Sequence, residues 1–158
     1  MIGGVSYRGL RAVSEAASRV GRANRARNTR PELLLRRLLW KRGLRYRLHA
    51  DSLEGRPDLV LARGRVAVFC DGDFWHGRYW ARRKEKLTRG SNASYWVLKI
   101  QRNIERDRWV ARRLKRLGWS VVRVWEGDLL REPDRIAEQI AALVRKRANK
   151  GTRATRPD

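Results

Sequence analysis

Residues 57–71 read Pro-Asp-Leu-Val-Leu-Ala-Arg-Gly-Arg-Val-Ala-Val-Phe-Cys-Asp, and they carry the strongest signal for the fold in this sequence. Two runs of apolar residues, 59–62 and 66–70, lie on either side of a short basic turn. Apolar runs of this length are typical of strands that are covered on both faces. We therefore predict two neighbouring strands at the centre of a sheet.

Helix and strand patterns continue on both sides of this stretch. Residues 28–32 predict a helix start, because Asn28 or Thr29 can cap it, Pro31 suits the first turn and Glu32 complements the helix N-terminus. The helix should end at Gly43. Further patterns predict a strand at 44–49, a long helix at 93–117, a last strand at 119–125 and a closing helix at 133–146, whereas 71–92 predict no regular structure. This order predicts an α/β fold with a mixed central β-sheet flanked by helices.

The domain organisation follows from length and composition. A chain of 158 residues with 42% hydrophobic residues fits one domain, which we place at 28–147. Residues 1–27 predict a basic arm, mobile or marginally helical, and residues 148–158 predict a disordered basic tail. Neither a membrane span nor a secretory leader is indicated, so we expect a cytoplasmic, nucleoid-associated protein.

The charge distribution indicates a polyanionic partner. The formal net charge is +23, and residues 1–50 carry 13 basic and 2 acidic groups. Residues 51–77 differ, with 3 basic and 5 acidic groups. Carboxylates that hold a cation between basic regions that bind phosphates give this pattern. A ribosome-like or histone-like binding protein is the alternative, although seven tryptophans are unusual in such proteins.

Carboxylates stand where the two central strands begin and end. Asp58 precedes the first strand. A buried charge at this position needs a partner or a metal, so we interpret Asp58 as a metal ligand. The alternative is a turn aspartate that caps the bend. Asp71 and Asp73 follow the second strand. Asp71 is the stronger candidate, because one of the pair can merely form an Asx turn around Gly72. Mg²⁺ prefers such oxygen ligands and can activate a water for hydrolysis.

Three polar residues further along the chain are candidates for the same site. His76 suits a general base or acid, or else it is a partly buried histidine bonded to the backbone. Asp107 falls in the apolar stripe of the long helix, so its partner is either an arginine of a structural network or the active site. Asn103 lies one turn earlier and can orient the cluster. The other histidine, His49, is interpreted as structural.

Aromatic and basic side chains are dense between residues 74 and 96. Aromatic rings beside cations can stack on bases or wedge between base pairs, although some of these rings can belong to the core, as we expect for Trp119 and Trp125. The aromatic candidates are Phe74, Trp75, Trp80, Tyr95 and Trp96. The predicted phosphate contacts are Arg78, Arg82, Arg83, Lys84 and Lys86.

The motifs occur in an order that resembles the very short patch repair (Vsr) endonucleases over residues 14–146. The motifs are Asn-Thr-Arg-Pro-Glu at 28–32, Gly-Arg-Pro-Asp at 55–58, Asp-Gly-Asp-Phe-Trp-His-Gly at 71–77, Tyr-Trp at 95–96, Asn-Ile-Glu-Arg-Asp at 103–107 and Val-Trp-Glu at 124–126. The resemblance implies a restriction-endonuclease-like PD-(D/E)xK core, Mg²⁺ dependence, and nicking of one strand of double-stranded DNA beside a T·G mismatch.

The resemblance also implies roles for single residues. It makes Asp58 the central Mg²⁺ ligand together with the backbone carbonyl of Cys70, and His76 the general base. Glu32 and Asp107 would complete the site. The aromatic residues that wedge into the DNA would be Phe74, Trp75 and Trp96.

Two positions depart from the family pattern. Better-known members hold a structural zinc with cysteines and a histidine, whereas this chain has Asp73, Arg78 and Gly127 there, so we expect no structural zinc. A second active-site histidine of the family appears here as Asp71, which makes that residue another metal ligand.

We therefore expect a Mg²⁺-dependent nicking enzyme of mismatch repair that acts as a monomer, with repair or defence proteins as possible partners. One alternative is a Vsr-like nuclease of a restriction or phage-defence system with a different specificity. The other is a non-catalytic DNA-binding module that kept the fold.

Overall fold

The computed structural model describes residues 27–89 and 92–154, which form a mixed four-stranded sheet between helices. Strand β1 (Arg47–Leu48) pairs antiparallel with β2 (Leu59–Leu61), and β2 pairs antiparallel with β3 (Val66–Asp71). Strand β4 (Ser120–Trp125) pairs parallel with β3, so that Asp71 lies opposite Trp125. The predicted mixed sheet flanked by helices is confirmed.

Helices cover both faces of this sheet. They are α1 (Arg30–Lys41), α2 (Trp80–Leu87), α3 (Ala93–Arg116), α4 (Glu126–Arg131) and α5 (Pro133–Ala154). Alternate residues of β3 serve the two faces, because successive side chains of a strand point to opposite sides. Val66 and Val68 pack with residues of α1, α4 and α5, while Ala67 and Phe69 pack against α3.

The first helix begins as predicted. Thr29 is the N-cap, and its hydroxyl accepts a hydrogen bond from the backbone nitrogen of Glu32 at 3.4 Å. Gly43 follows the helix with a φ of +77°, a left-handed conformation that glycine adopts without steric cost. The cap places Glu32 at the edge of the sheet where β2 begins.

Several element boundaries differ from the predictions. The strand predicted at 44–49 is reduced to β1; Leu44 and Tyr46 pack on the core, but Leu48 is exposed. Helix α2 lies within a segment predicted to be irregular. It has only three apolar residues, Trp80, Ala81 and Leu87, and none of its residues is buried, so it lacks the pattern of a helix that packs on the core. The six residues of α4 were also not predicted as a helix.

The closing helix is longer than predicted. It continues to Ala154, so the prediction of a disordered tail at 148–158 is wrong for residues 148–154. Arg147 anchors this extension by donating to the carbonyl oxygens of Gly64 and Gly118 at 2.8 and 2.7 Å. The predicted arm at 1–27 and the last four residues lie almost entirely outside the described residues. No helix among the described residues is long and apolar enough to cross a membrane.

Candidate active site

A cleft of about 930 Å³ opens where β2 begins and β3 ends. All five residues predicted as catalytic from the sequence line it, together with an arginine of β4 that the sequence analysis did not select. These six residues are Glu32, Asp58, Asp71, His76, Asp107 and Arg123. Residues that are up to 91 positions apart in the chain thus meet at one edge of the sheet.

Asp58 is a half-buried carboxylate immediately before β2. Its Oδ2 accepts a hydrogen bond from the backbone nitrogen of Cys70 at 2.7 Å, which fixes it against the end of β3. Burial raises the pKa of Asp58, and the nearby charges of Glu32 and Asp71 raise it further, against the opposing effect of the Cys70 hydrogen bond. A carboxylate in such a position gains from a bound cation.

Asp71 ends β3 and faces α3. Its side chain is only 3% exposed, and its Oδ2 is buried without a hydrogen-bond partner in the described part of the chain. Burial raises the pKa of Asp71, although His76 and Arg123 partly offset this effect. Asp71 therefore presents an incompletely satisfied oxygen inside the cleft.

The donors present fit a Mg²⁺ ion. Among residues 27–89 and 92–154, no three side chains of His, Cys, Asp or Glu converge closely enough to hold a metal by themselves. Mg²⁺ requires only one or two carboxylates because it keeps several waters. The donor set of that kind consists of the half-buried carboxylate of Asp58, Oδ2 of Asp71 and the Cys70 carbonyl at the same strand end. Oδ2 of Asp71 has an ion pair with Arg123 at 3.3 Å but no hydrogen bond among the described residues.

His76 is held by two carboxylates. Its Nδ1 lies 2.6 Å from Oδ2 of Asp107 and 3.5 Å from Oδ1 of Asp71. With Nδ1 donating to Asp107, Nε2 is left as a proton acceptor. The burial of Asp107 on its own raises the pKa, but the hydrogen bond from His76 and the charge of Arg123 outweigh burial and lower it, so Asp107 stays ionised.

The loop that carries His76 is fixed from α3. Asn103 donates from its side chain to the carbonyl oxygen of Trp75 at 3.0 Å, so the predicted orienting residue holds the loop backbone next to His76. Gly77 follows with a φ of +73°, and a Cβ at this position would lie 2.3 Å from the side chain of Ile104. Only glycine fits there, which explains the Phe-Trp-His-Gly motif in physical terms.

Glu32 lies in a separate polar network on the cleft wall. Its Oε2 accepts from the backbone nitrogen of Asn28 at 3.0 Å and from Arg36 at 2.9 Å. A nitrogen of the same guanidinium lies 3.2 Å from Nε2 of His49. His49, interpreted as structural from the sequence, thus lines the cleft as part of the network that holds Glu32.

Four aromatic rings form a cluster beside the cleft. Phe74 and Trp75 are 4.9 Å apart, Trp75 and Trp96 are 5.6 Å apart, and Tyr95 contacts Trp96 at 5.0 Å. The ammonium of Lys99 lies 5.2 Å from the Trp75 ring. None of these rings belongs to the two core clusters of the described residues, so the core alternative does not apply to them.

Arg78 is placed differently from the prediction. It was predicted to contact phosphate, but its side chain is only 10% exposed, with ion pairs to Asp73 at 3.2 Å and Asp128 at 2.5 Å. The backbone nitrogen of Gly127 also donates to Asp73 at 3.4 Å. Asp73, Arg78 and Gly127, the residues where the chain departs from the zinc-holding pattern, therefore meet at one point, and ion pairs join the loop to α4.

The remaining predicted phosphate contacts lie on α2. Arg82, Lys84 and Lys86 are exposed, as a phosphate contact requires. Arg83 is half-buried and donates to the carbonyl oxygen of Asp73 at 2.9 Å, so it too supports the loop.

Arg123 is the residue that the sequence analysis missed. It stands between Val122 and Val124 on a strand that is covered on both faces, where a charge needs a partner. Its Nη1 lies 2.7 Å from Asp107 and 3.3 Å from Asp71. An arginine between two valines of a strand was the signal in the sequence that could have identified this residue. The partners of Asp107 are therefore both His76 and Arg123.

Comparison with known proteins gives consistent matches. The family model described as DNA mismatch endonuclease Vsr matches residues 13–82. The type II nicking enzyme V.NmeDIP of Neisseria meningitidis serogroup C is 40% identical over 135 residues, which cover 85% of this chain and 90% of that protein. The type II nicking enzyme V.HpaIIP of Haemophilus parainfluenzae is 39% identical, over 79% of this chain and 87% of that protein. The DNA mismatch endonuclease Vsr of Escherichia coli strain K12 is 42% identical, over 66% of this chain and 65% of that protein.

Proposed function

The chain belongs to the family of Vsr endonucleases and Vsr-like type II nicking enzymes, and from this premise we propose that it nicks duplex DNA beside T·G mismatches with the help of Mg²⁺. Membership makes it a DNA nicking endonuclease. The mismatch and the metal ion are the parts that we propose.

One observation carries the proposal: Asp58, Asp71 and the pair formed by His76 and Asp107 line the same cleft. Hydrolysis of a phosphodiester forms one new P–O bond from water and breaks one ester P–O bond. One proton must therefore leave the water, and one must reach the leaving oxygen. A site for this reaction needs a proton acceptor, ligands for a cation and room for a phosphate. His76, the carboxylates of Asp58 and Asp71, and a volume of about 930 Å³ meet these needs in the cleft. The cleft is open to solvent, and a water there can give the proton to the leaving oxygen.

The residues divide this work. Asp107 keeps His76 in the tautomer that donates from Nδ1, so that Nε2 can take the proton of the attacking water. Asp58, Asp71 and the Cys70 carbonyl would hold Mg²⁺, which, when bound, lowers the pKa of a water and offsets the charge of the phosphate. The exposed cations of α2 contact neighbouring phosphates and fix the position of the strand.

The aromatic cluster supports the choice of a mismatched substrate. Phe74, Trp75 and Trp96 lie outside the core, and Trp75 also lines the cleft. Large apolar side chains beside cations can enter a base step and unstack it, and unstacking costs least at a weakly paired position. A T·G pair beside the scissile phosphate is such a position.

A second candidate is a nuclease of a restriction or defence system. Several relatives are named type II nicking enzymes rather than repair enzymes, which favours it. A non-catalytic DNA-binding module is disfavoured, because Asp58, His76 and Asp107 are all present with a hydrogen bond of 2.6 Å between the last two.

The deciding experiment compares nicking of two duplexes that differ only in one T·G pair, each assayed with Mg²⁺ and with EDTA. Repair specificity predicts nicking of the mismatched duplex alone, dependent on Mg²⁺. Equal nicking of both duplexes favours the defence version, and nicking in EDTA would remove the metal from the scheme.

A further inference from the structure

We propose that Arg123 is a further catalytic residue of the cleft, whose guanidinium binds a non-bridging oxygen of the scissile phosphate. The inference rests on the proposed nicking function and adds to it the group that receives the phosphate charge.

The position of Arg123 places it beside the reacting groups. It lies opposite Phe69 in the register of β3 and β4, and its guanidinium carbon is 4.8 Å from the Phe69 ring. Nη1 lies 2.7 Å from Oδ2 of Asp107, the same oxygen that is 2.6 Å from Nδ1 of His76. One carboxylate oxygen thus holds both the guanidinium and the imidazole, and both side chains line the same cleft.

The guanidinium has donors left over. Both of its ion pairs, to Asp71 and Asp107, are made by Nη1 alone. Nε is buried and has no hydrogen-bond partner among the described residues. A planar guanidinium carries five N–H donors in a fork that matches phosphate oxygens, and a buried donor without a partner is costly. The side chain is 23% exposed toward the cleft, so a ligand can reach it.

The electrostatics of the cleft require such a group. Asp71 and Asp107 are both buried, and two carboxylates beside a phosphodiester repel it. Arg123 offsets their charge in the free protein. As negative charge develops on the phosphate oxygens during attack, the guanidinium that is already fixed between the carboxylates can stabilise it without reorganisation.

The test measures single-turnover nicking and DNA affinity for the wild type, Arg123→Met, Arg123→Lys and Arg42→Met. Arg42 is a matched control: its side chain is also 23% exposed and pairs with two carboxylates, Asp134 and Glu138, but it does not line the cleft. We expect Arg123→Met to slow nicking by about 100-fold, with DNA affinity within about threefold, as for the loss of one oxyanion donor. Arg123→Lys should recover part of the rate, and Arg42→Met should nick like the wild type.

A second experiment distinguishes a contact between Arg123 and the phosphate from a role in which Arg123 only neutralises Asp71 and Asp107. The scissile phosphate is replaced by each single phosphorothioate diastereomer, which changes one non-bridging oxygen at a time. We expect one diastereomer to slow the wild type and Arg42→Met, and the same diastereomer to slow Arg123→Met much less. A slow Arg123→Met enzyme with an undiminished thio effect would overturn the proposal, because Arg123 would then act only on Asp71 and Asp107.

The outcomes for the two proposals are distinguishable. If the wild type nicks and Arg123→Met nicks at the same rate, the role of Arg123 is overturned. The proposed function is not affected by that result. A wild type that does not nick in Mg²⁺ overturns both. If Arg123→Met has no cooperative thermal transition, Arg123→Gln decides, because glutamine can still donate to Asp107 but lacks the charge. An unchanged rate with an unchanged thio effect in that variant counts against the phosphate contact.

Discussion

Two clusters of charged side chains lie at the loop formed by residues 72–78. Both contain carboxylates and an arginine, but their roles differ. We name the cleft cluster for Asp71, His76, Asp107 and Arg123, and the anchor cluster for Asp73, Arg78 and Asp128. In the anchor cluster, Asp73 accepts hydrogen bonds from Arg78 and from Gly127, and Asp128 accepts from Arg78. In the cleft cluster, Oδ2 of Asp71 and Nε of Arg123 have no hydrogen-bond partner in the described part of the chain.

The two clusters show how a charged residue with a structural role can be distinguished from one with a functional role. Carboxylate and arginine occur in both clusters, so residue type does not discriminate between them. Hydrogen-bond satisfaction does, because a native fold rarely leaves buried polar atoms unpaired without another use for them. The anchor cluster is complete by itself, whereas the two unpaired atoms of the cleft cluster fit the cation and the phosphate that we propose as its ligands.

Of the two clusters, the cleft cluster should give the larger effect. We expect His76→Ala to slow single-turnover nicking by about 1,000-fold, because the general base is lost. Duplex affinity should change little, since His76 carries no phosphate contact in this account. A variant that nicks within tenfold of the wild type would show that the proton leaves the water by another route.

A smaller effect should come from the anchor cluster. Arg78→Met should slow nicking by about tenfold, because the loop that carries His76 loses its ion pair to α4 and the catalytic groups are displaced. The melting temperature should fall as well.

Salt dependence provides the control for Arg78. A phosphate contact contributes about 0.9 to the slope of log affinity against log salt concentration. We expect that slope to be unchanged in Arg78→Met and to decrease in Lys84→Met, whose side chain is exposed on α2. A decreased slope for Arg78→Met would restore its role as a phosphate contact.

The smallest effect should be an increase in thermal stability in the variant Asp58→Asn. Burial raises the pKa of Asp58 above its ordinary value of 3.8, so the folded state binds this proton more tightly than the unfolded state. The resulting stabilisation is present below pH 3.8 and is lost as the pH rises through the folded-state pKa. Asp58→Asn should therefore melt a few degrees higher than the wild type at pH 7, by a margin that shrinks as the pH falls toward 3.8. A lower melting temperature at pH 7 would contradict this.

The sequence predicted the elements that have a strong local signal. The two central strands carry unbroken apolar runs, and the first helix carries Thr29, Pro31 and Glu32 at its start, so both were found. Helix α2 was missed because none of its residues is buried, and β1 was overextended because the alternation at 44–49 continues past the two residues that pair.

The sequence predicted most residues of the candidate site but not the ion pairs between them. Asp58, Asp71, His76 and Asp107 have motifs around them. No motif indicates that Arg78 belongs to the anchor cluster and Arg123 to the cleft cluster. This assignment depends on strand register and on which carboxylate each guanidinium reaches in three dimensions.

We propose that Asp58 makes the cleft a metal-dependent nuclease site, and nicking measured over a Mg²⁺ titration can decide this. Wild type and Asp58→Ala are assayed on the T·G duplex, with Asp51→Ala, an exposed carboxylate seven residues earlier, as the control. We predict that wild type and Asp51→Ala rise from no nicking in EDTA to a plateau, while Asp58→Ala binds the duplex and does not nick it at any Mg²⁺ concentration. Equal plateaus for Asp58→Ala and the wild type would contradict the account.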